Sequence, residues 1–554
     1  MLTCSTVSEN GGDRELSVPG PPPARRAEAW GYEVVDGIVE GHPCRVYYRR
    51  PRSAPELLLD ARRWGTRPYL VQGSRRISFA QHEEAVCRVT RYLQAHGLAP
   101  GGRVLLFGAN QPEWVVAFWA TLVAGAVVVP ANLWWSEAEL RHALHLTSPT
   151  IVLADADHRE VLPPDTVVIP FEDLRPMTAG GDEAALLRIS PDSLGEAAAA
   201  VILFTSGTTG LPKGAVLSHR SLVANVQNRL VAGGRLPPDG PDGPDGPRVL
   251  VSAPLFHMGG VQTALLSLAS GATMVFLEGR FDAGEVLRLI EEERITRWGC
   301  VPTMAFRVLE HPDLLHRDRS SVRSLSLAGS PVPPELCKRL QEAFPTAAAA
   351  IGTGYGLTES GGTVTAGAGE EIVGQPGCVG RPMRTVELRI DHPDACGVGE
   401  VLVRSPAVMS GYWGSTDDPA LDADGWLHTG DVGQLGADGR LRIIDRLKDV
   451  IIRGGENIAS PHVEDRLLQY PGVAEVAVIG LPHSDLGEEV AAVIVPRAGE
   501  VIHADELQTH AALALAYFEV PTRWWIRSEP LPLNLVGKVL KRELRESWPT
   551  SSAN

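Results

Sequence analysis

The stretch from Leu203 to His219, "LFTSGTTGLPKGAVLSH", constrains this chain more than any other. An uninterrupted apolar run, "AAAAVILF" (Ala197 to Phe204), ends in turn residues, as a buried strand does. The loop that leaves it contains Gly207, Gly210 and Gly214, which admit backbone angles closed to other residues and let main-chain N–H groups approach an anion. Thr205, Ser206, Thr208 and Thr209 add hydroxyl donors, and Lys213 adds a positive charge with three donors. The chemistry points to phosphate. An ordinary P-loop is excluded, because in the frame from Gly207 the second glycine position is Pro212 and the metal-binding hydroxyl is replaced by Gly214. A flexible Gly/Thr surface turn is the plain alternative for any such cluster.

The rest of the chain sets bounds. At 554 residues, 44% hydrophobic and 21% charged, it has room for more than one domain and a large core. A formal net charge of -16 argues against nucleic-acid binding and requires that any polyanionic substrate be met by a local basic site. Seven cysteines are scattered without a C-x-x-C pair, which predicts reduced thiols acting as small core fillers in a cytoplasmic protein. The N-terminal "MLTCSTVSENGGDRELSVPGPPPARR" lacks an apolar signal core and reads as a disordered tail over 1–28. Gly125 and Pro130 interrupt the longest apolar stretch, Trp114 to Ala131. A buried helix to about Ala124 and then a short buried strand are expected there rather than a membrane span.

Short apolar runs such as "RVLLFGA", "AVVVPA", "TIVLADA", "VLVSAPL" and "ATMVFL" alternate with helix-compatible segments, which predicts an α/β protein. The "PDG" iteration within 233–247 reads as a flexible solvent loop. Beyond Gly399 the pattern becomes strand-like, and a compact segment with its own apolar elements follows, so a second, smaller domain is expected to begin near Lys448.

The loop at 203–219 closely resembles the phosphate-binding signature of the adenylate-forming superfamily, which includes acyl-CoA synthetases, aryl-CoA ligases, peptide-synthetase adenylation domains and luciferases. The resemblance extends through "APLFHMGG", "TGYGLTES" (Thr353 to Ser360), "GEVLVRSPAVMSGYW", "GWLHTGD" (Gly425 to Asp431), "DRLKDVIIRGGENI" (Asp445 to Ile458) and "LPLNLVGKVLKREL" (Leu531 to Leu544). It covers roughly Leu70 to Glu546. The fold this implies is a large N-terminal AMP-binding α/β domain over 29–447, with β-sheets flanked by helices, and a smaller mobile α+β cap domain over 448–554.

The activity implied is ATP-dependent conversion of a carboxylic acid to acyl-AMP, with Mg²⁺, followed by transfer to the thiol of CoA. Two anions must be held together despite their repulsion, so counter-charge and a metal are required. By resemblance Glu359 binds Mg²⁺, Thr358 places a hydroxyl near the α-phosphate, and Lys538 reaches from the small domain to the reacting carboxylate and α-phosphate. Thr205, Ser206, Gly207, Thr208, Thr209, Gly210 and Lys213 face the phosphates. Tyr355 offers a flat face to the base, with Gly354 and Gly356 permitting close backbone approach. Asp431 is implied to accept from the ribose hydroxyls, Arg446 to contact ribose or phosphate, and Lys448 to be the hinge. His257, Gly454 and Gly455 are implied to line the acyl and pantetheine channel. Taken alone, Glu359 would be a solvated charge, Tyr355 a core tyrosine, Asp431 a turn residue and His257 a structural histidine.

Leu535 and Val536 before Gly537, and Ala459 after "GGENI", depart from the common pattern at neighbours of the ligands and bear on the acceptor tunnel. The acid is expected to be fatty or otherwise hydrophobic, since "VQTALLSLA" (Val261 to Ala269) suits an apolar tube, with an aryl acid as the alternative. A carrier-protein phosphopantetheine arm is the alternative acceptor, and a silent nucleotide-binding homologue is the third reading. Retention of Lys213, Glu359, Asp431 and Lys538 argues against silence.

Overall fold

The buried run at Ala199–Thr205 sits second in a six-stranded sheet, paired antiparallel with Lys213–Ser218 and parallel with Val127–Pro130. The sheet continues through Arg103–Phe107, Ile151–Ala154 and Val168–Pro170, all parallel. This is a computed structural model describing Thr3–Ser5 and residues 30–164, 166–179, 186–188, 194–205, 211–234, 236, 246–330, 332–415, 420–447, 449–454, 456–533 and 539–549. From the expected tail, Thr3–Ser5 pairs with Leu186–Arg188, and residues 6–28 lie outside the described residues, as does most of the loop at 233–247.

The expected helix-then-strand reading of the long apolar stretch holds. Every residue of the helix Pro112–Val123 is buried, Gly125 turns at φ +72°, and Val127–Pro130 follows as a fully buried strand. A helix apolar on all sides belongs inside a large core. Among the described residues no helix is long and apolar enough to cross a membrane.

A second, nine-stranded sheet runs in the order Arg381–Pro382, Gly362–Ala368, Ile351–Leu357, Ser324–Leu327, Arg297–Cys300, Arg248–Val251, Thr273–Phe276, Pro68–Gln72, Arg75–Ser78. Its centre is parallel, and hairpins close both edges. Packed helices fill the space around these sheets, with Trp114, Trp119 and Trp298 among the largest fully buried side chains. The architecture is the expected α/β type, with helices covering mostly parallel sheets.

The change of pattern beyond Gly399 corresponds to a four-stranded antiparallel sheet, Glu387–Asp391, Val398–Arg404, Leu427–Leu435 and Leu441–Arg446. A five-stranded sheet follows, built on the long hairpin Val473–His483 and Gly487–Pro496 with Ile451–Arg453, Glu456–Ile458 and Arg523–Ile526. Its two faces carry their own apolar clusters. One gathers Ile451, Val463, Val478 and Ile494, the other Ile479, Val493, Leu531 and Leu544. Of the described cysteines outside the tail, Cys44, Cys87, Cys300, Cys337 and Cys378 are buried and Cys396 is exposed.

Two histidines are buried without a charge partner in the large core. His82 is 0% exposed, neither ring nitrogen has a hydrogen-bond partner, and the ring meets Tyr69 edge-on at 4.8 Å. His219 is 1% exposed and accepts from the Ala54 N–H through Nδ1 at 3.3 Å. Burial pulls the first down to about 3 and the second to about 4 from 6.5. Because the unfolded chain binds these protons first, stability falls as the pH drops below 6.5 toward those values. Each histidine should remove about 2 kcal/mol between about pH 7 and about pH 5. Chemical denaturation at the two pH values should show that His82→Leu abolishes roughly half of the pair's contribution. An unchanged pH dependence in that variant contradicts the assignment.

Candidate active site

The site is built where the nine-stranded and four-stranded sheets meet. Asp431 is only 4% exposed, and a carboxylate so buried needs donors. Two are supplied. The Tyr355 hydroxyl donates to Oδ2 at 2.7 Å, and Arg446 Nε lies 2.9 Å from Oδ1. Arg446 reaches Asp431 because the two are directly opposed across the strands Leu427–Leu435 and Leu441–Arg446. The expected contact of Arg446 with ribose or phosphate thus gains a second aspect, since this arginine also fixes the aspartate. Burial first, and the Asp431 charge second, raise the Tyr355 hydroxyl well above its usual range, so it stays a donor. Each Asp431 oxygen keeps a further lone pair for an incoming hydroxyl.

The turn before Asp431 is equally fixed. Glu400 accepts from the Gly430 N–H at 2.9 Å with Oε1 and pairs with His428 Nδ1 at 2.9 Å through Oε2. Thr429 Oγ1 donates to Val401 O at 2.6 Å and accepts from the Asp431 N–H at 3.1 Å. None of these supports was read from the sequence, although Glu400, His428 and Thr429 lie within the quoted motifs.

Tyr355 and Glu359 come from one hairpin, Ile351–Leu357 with Gly362–Ala368. Gly354 and Gly356 were expected to admit the nucleotide. The hairpin itself also demands them, because a Cβ on Gly356 would stand 2.0 Å from Gly362 O and one on Gly354 3.2 Å from Thr365 O. The turn is tight. The Gly361 N–H donates to Thr358 O at 3.0 Å, Gly361 has φ +71°, and a Cβ there would strike Ala407 O. This leaves the side chains of Thr358 and Glu359 half-buried at the sheet edge.

Glu359 Oε1 accepts from the Tyr412 hydroxyl at 2.9 Å, and Lys213 Nζ lies 5.1 Å from the centre of the same tyrosine ring. Tyr412 thus joins the metal-type carboxylate to the phosphate-type lysine, and it was missed by sequence reasoning. Its signal was the "GYW" that closes "GEVLVRSPAVMSGYW". The backbone explains the placement. Val216 N donates to Gly411 O at 3.0 Å, Trp413 N to Gly214 O at 2.8 Å, and Met409 N to Glu359 O at 2.9 Å. The segment Met409–Trp413 is therefore stitched to both motifs. Among the described residues Glu359 Oε2 has no hydrogen-bond partner, so the carboxylate keeps one open hard oxygen of the kind that suits a hard cation.

Thr205 ends its strand directly opposite Lys213. Ser206, Gly207, Thr208, Thr209, Gly210, Lys448, Gly455 and Lys538 lie outside the described residues. His257 caps the helix Met258–Ser270, which starts close to the preceding loop, since a Cβ on Gly260 would be 2.2 Å from Pro254 O. Its ring lies 4.5 Å from that of Phe256, which meets Trp134 at 5.0 Å. Nε2 is buried without a partner, and burial lowers the imidazole to about 4, so it is neutral at physiological pH. Gly454 turns the small-domain hairpin at φ +59° and donates to Leu486 O at 2.8 Å. No hydrogen bond or ion pair among the described residues joins it to His257.

Comparison with known proteins gives the arrangement a family. The model for the AMP-binding enzyme family matches residues 59–413, and that for the AMP-binding enzyme C-terminal domain matches 462–538. The chain is 36% identical over 487 residues to a feruloyl-CoA synthase of an Amycolatopsis species, covering 86% of this chain and 95% of that protein. It is 32% identical over 491 residues to the long-chain-fatty-acid–CoA ligase FadD13 of Mycobacterium tuberculosis, covering 85% and 93%. The fold superposes on ATP-bound MatB from Rhodopseudomonas palustris with a TM-score of 0.78 at 28% identity, over 90% of this chain and 99% of that one. The chain belongs to the AMP-binding enzyme family and is an adenylate-forming acid–CoA ligase.

Tyr412 acts through Glu359 as a positioning residue. Tyr412→Phe keeps the ring beneath Lys213 and deletes one charge-assisted hydrogen bond to Glu359. The Mg²⁺ concentration for half-maximal adenylation should rise about ten-fold, with an unchanged melting temperature. An unaltered Mg²⁺ dependence contradicts the role.

Proposed function

We propose that this member of the AMP-binding enzyme family activates a hydrophobic carboxylic acid, fatty or ring-bearing, and passes the acyl group to CoA. A carboxylate oxygen attacks the α-phosphorus of ATP and pyrophosphate leaves; the thiol sulfur then attacks the acyl carbon and AMP leaves. The observation that carries this reading is the layout along one hairpin. Tyr355, bonded to the buried Asp431, stands four residues before Glu359, which Tyr412 links to Lys213.

Asp431 would accept from the ribose hydroxyls and Tyr355 would face the base. Lys213, Thr205 and the loop 206–210 would hold the phosphates, and Thr358 the α-phosphate. Glu359 would hold Mg²⁺, which supplies charge neutralisation for the phosphates when bound. The two relatives named for feruloyl and long-chain fatty acids support a hydrophobic acid of either kind. His257, neutral and tilted against Phe256, suits a wall between acid and thiol channel, with Gly454 and Gly455 on the thiol side. Free cysteines suit a reducing compartment, and we place the enzyme in the cytoplasm.

The domain division falls at Lys448, between 29–447 and 448–554. Contacts at that junction favour the orientation seen here. Asp445 accepts from Ser460 N and Oγ, each at 2.9 Å, while Lys541 donates to Ser460 Oγ at 2.5 Å and pairs with Glu464 at 2.8 Å. Rotation about Lys448 would exchange the Asp445–Ser460 contacts for others, leave Lys541, Ser460 and Glu464 together within the small domain, and carry Lys538 toward or away from the α-phosphate.

Exchange of labelled pyrophosphate into ATP should require both a hydrophobic acid and Mg²⁺, and Glu359→Ala should abolish it. Lys538→Ala should lower the overall rate by about 10²-fold yet form acyl-CoA from supplied acyl-AMP at a near-parental rate. Release of ADP in place of AMP contradicts the reading. Use of acyl-AMP with a carrier-protein thiol but not with CoA replaces the proposed acceptor.

A further inference from the structure

The hairpin of Val34–Val39 with His42–Tyr47 precedes residue 59, where the family match begins, yet its tip reaches the residues that build the active site. Its two-residue turn is Glu40 and Gly41, at φ +52° and +90°. A turn with both central residues left-handed favours Asn, Asp or Gly before the second glycine, so a glutamate stands here against its backbone preference. Its side-chain contacts supply the reason.

Glu40 Oε1 accepts from two donors, Arg220 Nη2 and, at 2.8 Å, Ser410 Oγ. Arg220 stands in the first turn of the helix His219–Ala232 and is buried. A buried cation at the positive end of a helix needs an anion, and Glu40 provides one. This helix follows directly on the strand Lys213–Ser218, and its Ser221 Oγ donates to Val408 O at 3.2 Å. On the other side of the turn His42 packs on Gly425, where a Cβ would stand 2.6 Å from the His42 Cγ. The tip therefore meets the helix after Lys213, the segment that carries Tyr412, and the start of "GWLHTGD".

Ser410 is two residues before Tyr412, and Gly411 between them is at φ +125°. A glycine there leaves the chain free to swing, so the direction of the Tyr412 side chain depends on what holds each side. On one side Tyr412 is bridged to Ala215. On the other, Ser410 N donates to Val216 O at 2.9 Å and the Ser410 hydroxyl is held by Glu40.

We propose that Glu40 is a positioning residue of the adenylation site: bonded to Arg220 and Ser410 through one oxygen, it ties the helix after Lys213 to the segment Met409–Trp413 and so fixes Tyr412 between Glu359 and Lys213. Its effect is carried by Ser410 and Tyr412 rather than by contact with a substrate. The inference rests on the proposed acid-activating reaction and extends its site to a hairpin outside the family match.

The test follows pyrophosphate exchange by the full-length enzyme across a Mg²⁺ titration. Ser410 is exposed, and Ser410→Ala leaves the Glu40–Arg220 pair intact, so the melting temperature should be unchanged. The Mg²⁺ concentration for half-maximal exchange should nevertheless rise about three-fold, and Ser410→Thr, which keeps the hydroxyl, should restore the parental value. Glu40→Gln, which keeps the length and removes the charge, should shift it in the same direction as Ser410→Ala. In a Tyr412→Phe background neither substitution should raise it further, because the hydroxyl they position is gone. A parental Mg²⁺ dependence in Ser410→Ala or in Glu40→Gln overturns the inference and leaves the hairpin a stabilising element alone. Effects that multiply with that of Tyr412→Phe overturn it as well, since they act by another route. Failure of a broad panel of hydrophobic acids to drive any AMP formation by the parent overturns the proposed reaction instead, and the two failures are thereby distinguished.

Discussion

The buried carboxylate of Asp431 is the constraint around which the site is organised. A charge removed from water is tolerable only when donors surround it, and its two donors come from different sheets. Tyr355 belongs to the nine-stranded sheet and Arg446 to the four-stranded one, so satisfying one carboxylate fixes their relative position. The arrangement is also electrostatically self-consistent. The aspartate keeps Tyr355 protonated, and the protonated hydroxyl keeps donating to the aspartate. Glu400 and Thr429 hold the preceding backbone so that the carboxylate cannot swing away.

A second set of constraints acts through the segment Met409–Trp413. Its backbone is bonded to the strand Lys213–Ser218 on one side and to Glu359 on the other, while Tyr412 places a hydroxyl on Glu359 and a ring beneath Lys213. A carboxylate suited to a metal and a lysine suited to phosphate are therefore kept in register by a neutral aromatic between them. This avoids a direct ion pair that would quench both charges before a nucleotide arrives. Arg446 then connects the site to the domain junction, because Asp445 beside it accepts from Ser460 at the start of the first small-domain helix.

Much of this was legible in the sequence, and the reason is locality. The α/β alternation and the helix ending before Gly125 are short-range signals, and the structure places both accordingly. Lys213, Glu359, Tyr355 and Asp431 sit inside compact motifs, and the resemblance of those motifs to the adenylate-forming superfamily made them candidates. What escaped depends on long-range pairing. Tyr412 is 53 residues from the Glu359 it holds, and Ser410 is 370 from Glu40. Nothing local in "VEGH" reveals that its carboxylate has two polar partners on other elements. The burial of His82 has no local signal either, because only tertiary packing strips both ring nitrogens of partners.

Recognition of the ribose by Asp431 is the role on which the proposed nucleotide site depends. Calorimetric titration of AMP and of its ribose-dideoxy analogue into the parent enzyme and Asp431→Ala tests this directly. The parent should bind AMP more tightly than the analogue by about ten-fold or more, and Asp431→Ala, still folded, should bind both equally weakly. Equal affinity of the parent for the two nucleotides, or the same discrimination retained in Asp431→Ala, would contradict it.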